Sequence, residues 1–477
     1  MTYNRLTSEM IVELRQKVGD AAVRADPETL AAHASDETRL VFQPELVVLP
    51  TSTEQVREIM LWASRHRIPV TPRAAASNVT GGALAIHGGV ILSVMKMNRK
   101  LAIDERNLVA VVEPGVITRD LQCAAEDRGL FYPPDPSSFE TCTIGGNVAE
   151  GAGGPHGLKY GTTKDYVLGL TAVLPNGEIL QTGGRTRKNV VGYDLTHLFV
   201  GSEGTLGVIT EITLRLVPKP KAIVTMLVPF ESIEAAVSAA AGILRHGVVP
   251  AALEMSRGSV LLPQGPQGQA IAERTQAVLL IELDGNPLAL EAERDEVGAL
   301  CVGENALDVF VIDDNAKRKA IWDLRRGNWT RLVNGNAVIE TLDPVVPLDK
   351  IVLFMRGVEA IKTRYQVPIY CGGHAGDGNV HTNIACKTDG PEIRERMGRA
   401  AKEVMALTLS MGGTIAGEHG IGCVKKDELA MELSQVSIGV QRGIKQLFDP
   451  LNIMNPGKVL PDDRKSCDPF IAGGTKG

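Results

Sequence analysis

The sequence predicts a chain of mixed helices and strands spread over two or three domains, and three observations lead there. At 477 residues it exceeds what one ordinary hydrophobic core organises. Strand-like and helix-like segments alternate on both sides of "LVPKPKAIV" (216–224), a Pro/Lys punctuation that reads as a boundary. Between Tyr132 and Gly207 the chain is dense in Gly, Pro, Asn and Thr, far more backbone freedom than a plain core uses.

Each element has a local reason. Residues 1 to about 42 read as helical, beginning with an amphipathic stretch that lacks the apolar centre of a signal peptide. "ELVVLPTSTEQVREIMLWASRHRIPVTPR" reads strand, helix, strand, with Ser52 or Thr53 as the helix cap. The runs 90–94 and 108–112 are apolar without alternation, which predicts strands buried on both faces. After the boundary come the helix "ESIEAAVSAAAGILRHG", the strand "AVLLIELDG" and the helix "NAKRKAIWDLRRGNWTRL", broken at Gly327. "VPIYCGGH" and "NVHTNIAC" form two strands joined by the tight connection "AGDG". A helix then runs from Pro391 to Gly412, and a Pro/Asn-rich tail, "FDPLNIMNPGKVL", follows.

Composition excludes several classes. A formal charge of -6 with no basic stripe argues against nucleic acid. No run approaches the ~18 apolar residues of a membrane helix. The seven cysteines are scattered without a Cys-x-x-Cys, so disulfides, an iron–sulfur cluster within the chain and a zinc ribbon are not expected. A reduced, cytoplasmic setting is.

Two groups of motifs point to chemistry. The first is glycine-rich: Thr143 to Glu178 and Leu198 to Glu211, interleaved with Asn147, Thr162, Thr163, Ser202 and Thr205. Glycines let a backbone approach a ligand and turn its amides toward phosphate oxygens. Gly201, Gly204 and Gly207 lack the nicotinamide-dinucleotide spacing, so the residues themselves predict a phosphate-bearing cofactor other than NAD. The second group is "GGHAGDGNVH" (372–381) with "AGEHG" (416–420). The hairpin brings His374 near His381. His381 and Asn383 share one face of their strand, while Val380, Thr382 and Ile384 face the packing. With Glu418, two imidazoles and a carboxylate make a facial metal site with open positions. A single histidine is commonly structural, but three of the nine fall between 374 and 419, flanked by glycine. In "IWDLRRGNWTRL", Arg325 and Arg326 read as a solvated basic helix face, most firmly for Arg325, although a guanidinium can also pair bidentately with a carboxylate.

These motifs, with "YPPDPSS" and "KNVVGYDLTHLFVGSEGTLG", resemble the FAD-linked oxidases with the vanillyl-alcohol-oxidase type of fold, in the D-lactate dehydrogenase/glycolate oxidase D-subunit branch, from about residue 42 to 462. The resemblance implies an α+β architecture. A helical segment (1–41) precedes a two-lobed FAD-binding domain (42–220). A substrate or cap domain with a ferredoxin-like antiparallel sheet (221–440) follows, and a tail (441–477) returns to the FAD domain. It implies cofactor contacts from Pro72, Arg73, Ala74, Ala75, Ala76, Ser77, Asn78, Thr80 and Gly81. Further contacts are implied from Pro134, Asp135, Ser138, Thr143, Ile144, Gly145, Gly146, Asn147, Ala149, Gly153 and Gly154. Tyr160, Gly161, Thr163 and Asp165 would line the ribityl and adenine side with Glu203, Gly204, Gly207, Val208 and Ile209, and Asn455 would return with Lys458 from the tail. One departure stands out: relatives are Gly-rich after the Pro-Arg, and Ala74, Ala75 and Ala76 here call for ordinary backbone angles or a shifted FAD. The loop holds no His, Cys or Tyr, so the FAD is expected to be non-covalent.

The resemblance also implies His374, His381 and Glu418 as ligands of one divalent ion (zinc, manganese or iron(II)). His419 is the implied base and Arg326 the carboxylate grip, with Thr330 close by and Asn383 in the same site. No Lys stands near Thr341, which favours a small monocarboxylate. The expected activity is oxidation of D-lactate or glycolate to the 2-keto acid. Electrons would pass to an electron-transferring flavoprotein, an iron–sulfur subunit or a quinone, any membrane association would come through such a partner, and a homodimer is an expected assembly. Two rivals are an ether-lipid-synthase-like FAD transferase, for which the terminus "GGTKG" offers no peroxisomal address, and a non-catalytic flavin subunit.

Overall fold

The computed structural model describes residues 3–262 and 265–462; Cys467 and the terminal "GGTKG" lie outside them. The chain separates into two compact units, one of residues 1–152, 162–219 and 418–477, the other of 153–161 and 220–417.

In the first unit, a four-stranded sheet has the order Val23–Arg24, Leu46–Val48, Val90–Ser93, Val70–Arg73. Its first pair is antiparallel and the rest parallel. The helix Thr53–His66 connects two of these strands, and Ser52 caps it by accepting from the Gln55 amide. That helix buries Val56, Ile59, Met60, Trp62 and Ala63, a 3.6-residue stripe, against Leu46, Val48, Val70 and Val90. The segment before residue 42 holds the helices Ser8–Val18 and Pro27–Ala32. Between them Val23–Arg24 forms a strand, which the all-helical expectation left out, because it pairs with Leu46–Val48 as a sheet edge. A second, five-stranded antiparallel sheet runs Leu101–Asp104, Val109–Val112, Val208–Arg215, Val167–Val173, Ile179–Gly183. Val90–Ser93 and Val109–Val112 are buried throughout, as the unalternating runs predict.

The second unit is built on a seven-stranded antiparallel sheet, ordered Phe310–Ile312, Ala222–Phe230, Ala277–Gly285, Ala252–Arg257, Ile369–His374, Asn379–Cys386, Val338–Leu342. Strand alternation divides its residues cleanly. Leu253, Met255, Leu279, Ile281, Leu283, Val380 and Ile384 share a core with residues of the helices Ile233–Arg245, Pro287–Gly303, Ile351–Tyr365 and Pro391–Ser410. The alternate positions of the same strands, Glu254, Glu282, Asp284, His381 and Asn383, therefore belong to the opposite face. There Val278, Leu280 and Leu227 pack with Ile321 and Trp322 of the helix Asn315–Arg326. Residue parity thus sets the four-helix core on one face and the polar side chains, beside the single helix Asn315–Arg326, on the other.

Candidate functional site

His374 and His381 sit at the ends of the predicted hairpin, in the strands Ile369–His374 and Asn379–Cys386. Register pairs His374 with Asn379 and Gly372 with His381. The turn demands glycine: Gly378 has φ 84°, and a Cβ there would lie 2.0 Å from the Val346 carbonyl oxygen. The two rings meet at right angles in effect, with centroids 5.0 Å apart and Nε2 to Nε2 3.3 Å.

What backs each ring decides what the pair can do. Nδ1 of His374 is hydrogen-bonded to the carboxylate of Glu254, its cross-strand neighbour. Nδ1 of His381 lies 3.2 Å from Oδ1 of Asp343, at ion-pair distance rather than in an aligned hydrogen bond. A carboxylate at Nδ1 keeps the proton on that nitrogen and leaves Nε2 as the lone-pair atom. Two such Nε2 atoms facing each other at 3.3 Å need a proton or a cation between them. Both carboxylates are fully buried. Burial would raise the Glu254 carboxyl, but the charges of His374 and Arg325 outweigh it and hold the group well below the usual carboxylate range. Asp343 is held by the Asn379 side-chain amide at 2.8 Å and by the Gly417 N–H at 2.9 Å. On the same face Asn383 presents Oδ1, closed off from water and without a hydrogen-bond partner.

Arg325 corrects the sequence reading. It is not on a solvated face: its side chain is 12 % exposed and its Nη2 donates to Glu254 Oε2 at 2.5 Å. Arg325 lies one turn after Ile321, on the face of the helix Asn315–Arg326 that packs on the sheet, and that helix ends at Gly327, before Asn328–Gly335 begins. Arg326 lies over the Trp322 ring, 5.0 Å from its centroid, and Trp322 donates Nε1–H to Glu282 Oε2 at 2.8 Å. Thr330 is on the exposed side of its helix. Segment 153–161, expected to contact the cofactor, belongs to this second unit, where Tyr160 donates its hydroxyl to Asp284 at 2.6 Å and Lys159 pairs with the same carboxylate. His156 lies 3.3 Å from Glu282.

In the first unit, three of the predicted cofactor segments converge. A Cβ on Gly146 would lie 3.5 Å from the Ala74 Cβ, and one on Gly204 would lie 3.1 Å from Pro72. The loop 72–83, the segment 143–149 and the segment 203–209 therefore line one region. Asn455 ties the tail to two of them, donating from Nδ2 to the carbonyls of Gly82 at 2.9 Å and Glu203 at 2.7 Å. Lys458 donates to the Leu84 carbonyl at 2.6 Å, and burial pulls its ammonium down to about 8. Thr80, Thr143, Asn147, Thr163 and Asp135 are buried polar residues. Asp165 closes a capping box with Thr162, a local structural duty, while Pro134 accepts at its carbonyl from Gln122. Of the two alternatives expected for the alanine run, ordinary backbone angles fail at its last residue: Ala76 has φ 56°. Such a left-handed alanine costs about 1 kcal/mol or more, strain of the kind loops at ligand sites hold.

Glu418 and His419 open the last segment of this unit. Glu418 directly follows Gly417, the residue bonded to Asp343. The His419 carbonyl accepts from Thr80 Oγ1 at 3.3 Å, and Glu203 Oε1 and Oε2 accept from the Ile421 and Gly422 amides, each at 2.7 Å.

Sequence reasoning missed the buried acids Glu254, Asp343, Glu282 and Asp284, and the half-buried Glu150. A signal existed in "LLIELDG", where two acids two residues apart interrupt an apolar strand and so must share a face.

Comparison with known proteins gives the family and the fold. The family described as "FAD binding domain" matches residues 44–183, and "FAD linked oxidases, C-terminal domain" matches 219–459. Glycolate oxidase subunit GlcD of Bacillus subtilis is 40 % identical over 88 % of this chain and 90 % of its own. D-lactate dehydrogenase of Anaerostipes hadrus is 36 % identical over 96 % and 98 %. Among solved structures, p-cresol methylhydroxylase superposes with a TM-score of 0.80 at 18 % identity, covering 94 % of this chain and 96 % of that one. Alkyldihydroxyacetonephosphate synthase does so at 0.76 and 20 %, covering 96 % and 86 %. These last two are likenesses of fold. The chain belongs to the FAD-linked oxidase family and is an FAD-linked oxidoreductase of α+β architecture.

Proposed function

We propose that the protein oxidises a small D-2-hydroxy acid, D-lactate or glycolate, to the 2-keto acid and hands the electrons to an external acceptor. The observation behind this is the pair of facing Nε2 atoms, each imidazole backed by a buried carboxylate. That donor set fits a divalent cation, with zinc, manganese and iron(II) all compatible. In this reading His374 and His381 hold the ion, and Glu418, next along the chain from the anchored Gly417, is its third ligand. The ion would supply Lewis acidity that favours the alkoxide of a bound hydroxyl.

The chain's own residues do the rest. Arg326, oriented by Trp322, grips the substrate carboxylate; Asn383 and Thr330 orient the substrate; His419 takes the hydroxyl proton. FAD, held non-covalently by the loops around Pro72–Ala83, Thr143–Ala149 and Glu203–Ile209, supplies the acceptor for the C2 hydrogen and its electron pair. The division of labour assigns FAD binding to 42–220 with the tail 441–477 and substrate binding to 221–440, although 418–440 lies in the first compact unit and 153–161 in the second. The acceptor is an electron-transferring flavoprotein, an iron–sulfur subunit or a quinone. No helix among the described residues is long and apolar enough to cross a membrane. The names of the relatives, D-lactate dehydrogenase and glycolate oxidase subunit, support the substrate class. The transferase reading has only a likeness of fold behind it.

The test is anaerobic mixing of the FAD-loaded protein with a panel of D- and L-2-hydroxy acids while the flavin band is followed. D-lactate or glycolate should bleach it, and His419→Ala should slow bleaching by roughly 100-fold or more with FAD still bound. Normal bleaching in that variant removes His419 as the base.

A further inference from the structure

The first unit holds two neighbouring carboxyl side chains to which the chemistry above assigns no step, Glu203 having entered only as the first residue of an FAD-holding loop. Glu150 ends the helix Ile144–Glu150, and Glu203 has φ 50° in the turn after Phe199. Their side chains reach the same two glycines. A Cβ on Gly420 would lie 2.4 Å from Glu150 Oε2 and 3.0 Å from Glu203 Oε1. A Cβ on Gly82 would lie 3.0 Å from Glu150 Oε1 and 3.5 Å from Glu203 Oε2. The two acids are thus neighbours directly beneath the residue that follows His419. Their bonding differs. Glu203 accepts the amides of Ile421 and Gly422, one on each oxygen, whereas Glu150 Oε2 is closed off from water with no hydrogen-bond partner.

We propose that Glu203 and Glu150 act as a carboxylate–carboxylic acid pair that positions the backbone carrying His419, Glu203 ionised to hold the two amides and Glu150 protonated beside it. Burial raises the Glu203 carboxyl, but the two amide donors on its oxygens and the Lys425 and Lys458 charges oppose that rise and favour its ionised form over that of Glu150. A second charge next to it, on a carboxyl whose Oε2 has no donor, is disfavoured. The charged groups around Glu150 are Glu203, Asp36 and Lys425, and Lys425 and Lys458 face Glu203. Burial first, and the Glu203 charge second, push the Glu150 carboxyl well above its ordinary value. Glycine at 420 is then required twice, by its φ of 76° and by the carboxyls that fill the space of a side chain. These are positioning residues: the pair fixes where residues 420–422 lie, and through them the base.

The inference rests on His419 as the base, so its test carries a readout independent of turnover. In the FAD-loaded protein, Glu203→Gln presents an amide nitrogen to one of the two N–H groups. Hydrogen exchange of residues 419–424 should rise, and bleaching by D-lactate should slow on the order of 10- to 100-fold with FAD retained. Glu150→Gln reproduces the neutral acid. It should keep protection at 419–424 and most of the bleaching rate, and lose the decline that the parent protein shows as pH rises through the elevated Glu150 value. Unchanged exchange at 419–424 in Glu203→Gln overturns the pair, whatever the activity. A Glu150→Gln protein as impaired as Glu203→Gln overturns the protonated assignment. If His419→Ala bleaches normally while Glu203→Gln still exposes 419–424, the base is misassigned and the pair stands as an anchor of the backbone.

Discussion

Replacing Glu254 by Gln probes the buried support of the proposed metal site. The carboxylate does two jobs at once, accepting from His374 Nδ1 and from Arg325 Nη2. Loss of a carboxylate behind a ligating histidine typically weakens metal affinity by ~10- to 100-fold, or about 1.4–2.7 kcal/mol. Stability should fall separately, because removing one partner of a buried ion pair leaves the other uncompensated, at about 3–5 kcal/mol. The retained amide oxygen can still accept one hydrogen bond, which places Glu254→Gln toward the lower end. The assay is titration of metal-free protein with zinc or manganese, read as metal retained after dialysis, beside a denaturant melt. The double variant Glu254→Gln/Arg325→Met separates the two effects: it should recover much of the stability and none of the affinity. Acid adds a sign. The Glu254 carboxyl is held low when folded, so its stabilisation is complete above the ordinary glutamate value of about 4.3 and is lost as pH falls toward the folded value. The variant should therefore unfold over a flatter acid range. Wild-type metal affinity in Glu254→Gln would refute the reasoning, since then nothing behind His374 matters to what its Nε2 holds.

Three other substitutions test separate links. Ala76→Gly should relieve the left-handed alanine and raise the denaturation midpoint, by up to about 1 kcal/mol once the extra freedom of glycine in the unfolded chain is subtracted. A drop in the midpoint would mean that the residue is not strained. Gly378→Ala puts a Cβ 2.0 Å from the Val346 carbonyl, so the hairpin must shift; metal retention and stability should both fall by more than the ~0.5 kcal/mol of an ordinary surface change. Trp322→Leu removes the ring under Arg326 and the donor to Glu282; KM for the hydroxy acid should rise several-fold with a smaller change in kcat, whereas an unchanged KM removes Trp322 from substrate binding.

Much of the second unit was legible because strands alternate. "NVHTNIAC" assigns His381 and Asn383 to one face and Val380 and Ile384 to the core, and the structure divides them the same way. The helix from Pro391 and the break at Gly327 were equally plain. The supports were not, because Glu254 comes from a strand far earlier in the chain and Asp343 from the residue just after the strand Val338–Leu342, and both reach the histidines only through sheet order. Arg325 misled because a charge on a helix usually faces water, and only its partner Glu254 shows that this one does not. Ala76 misled in the other direction: propensity argues against a left-handed alanine, and the surrounding loop imposes one. Glu150 and Glu203 sit in sequence among glycines that announce a cofactor, which hid their approach to residues 420–422.

The most direct test of the central claim is the anaerobic flavin reaction with D-lactate, run on the metal-replete protein and again after a chelator has stripped the divalent ion with FAD still bound. The account predicts rapid bleaching in the first case and near-complete loss in the second, restored by adding back zinc, manganese or iron(II). Bleaching that is indifferent to the chelator, or absent with every 2-hydroxy acid even when metal is bound, would contradict it.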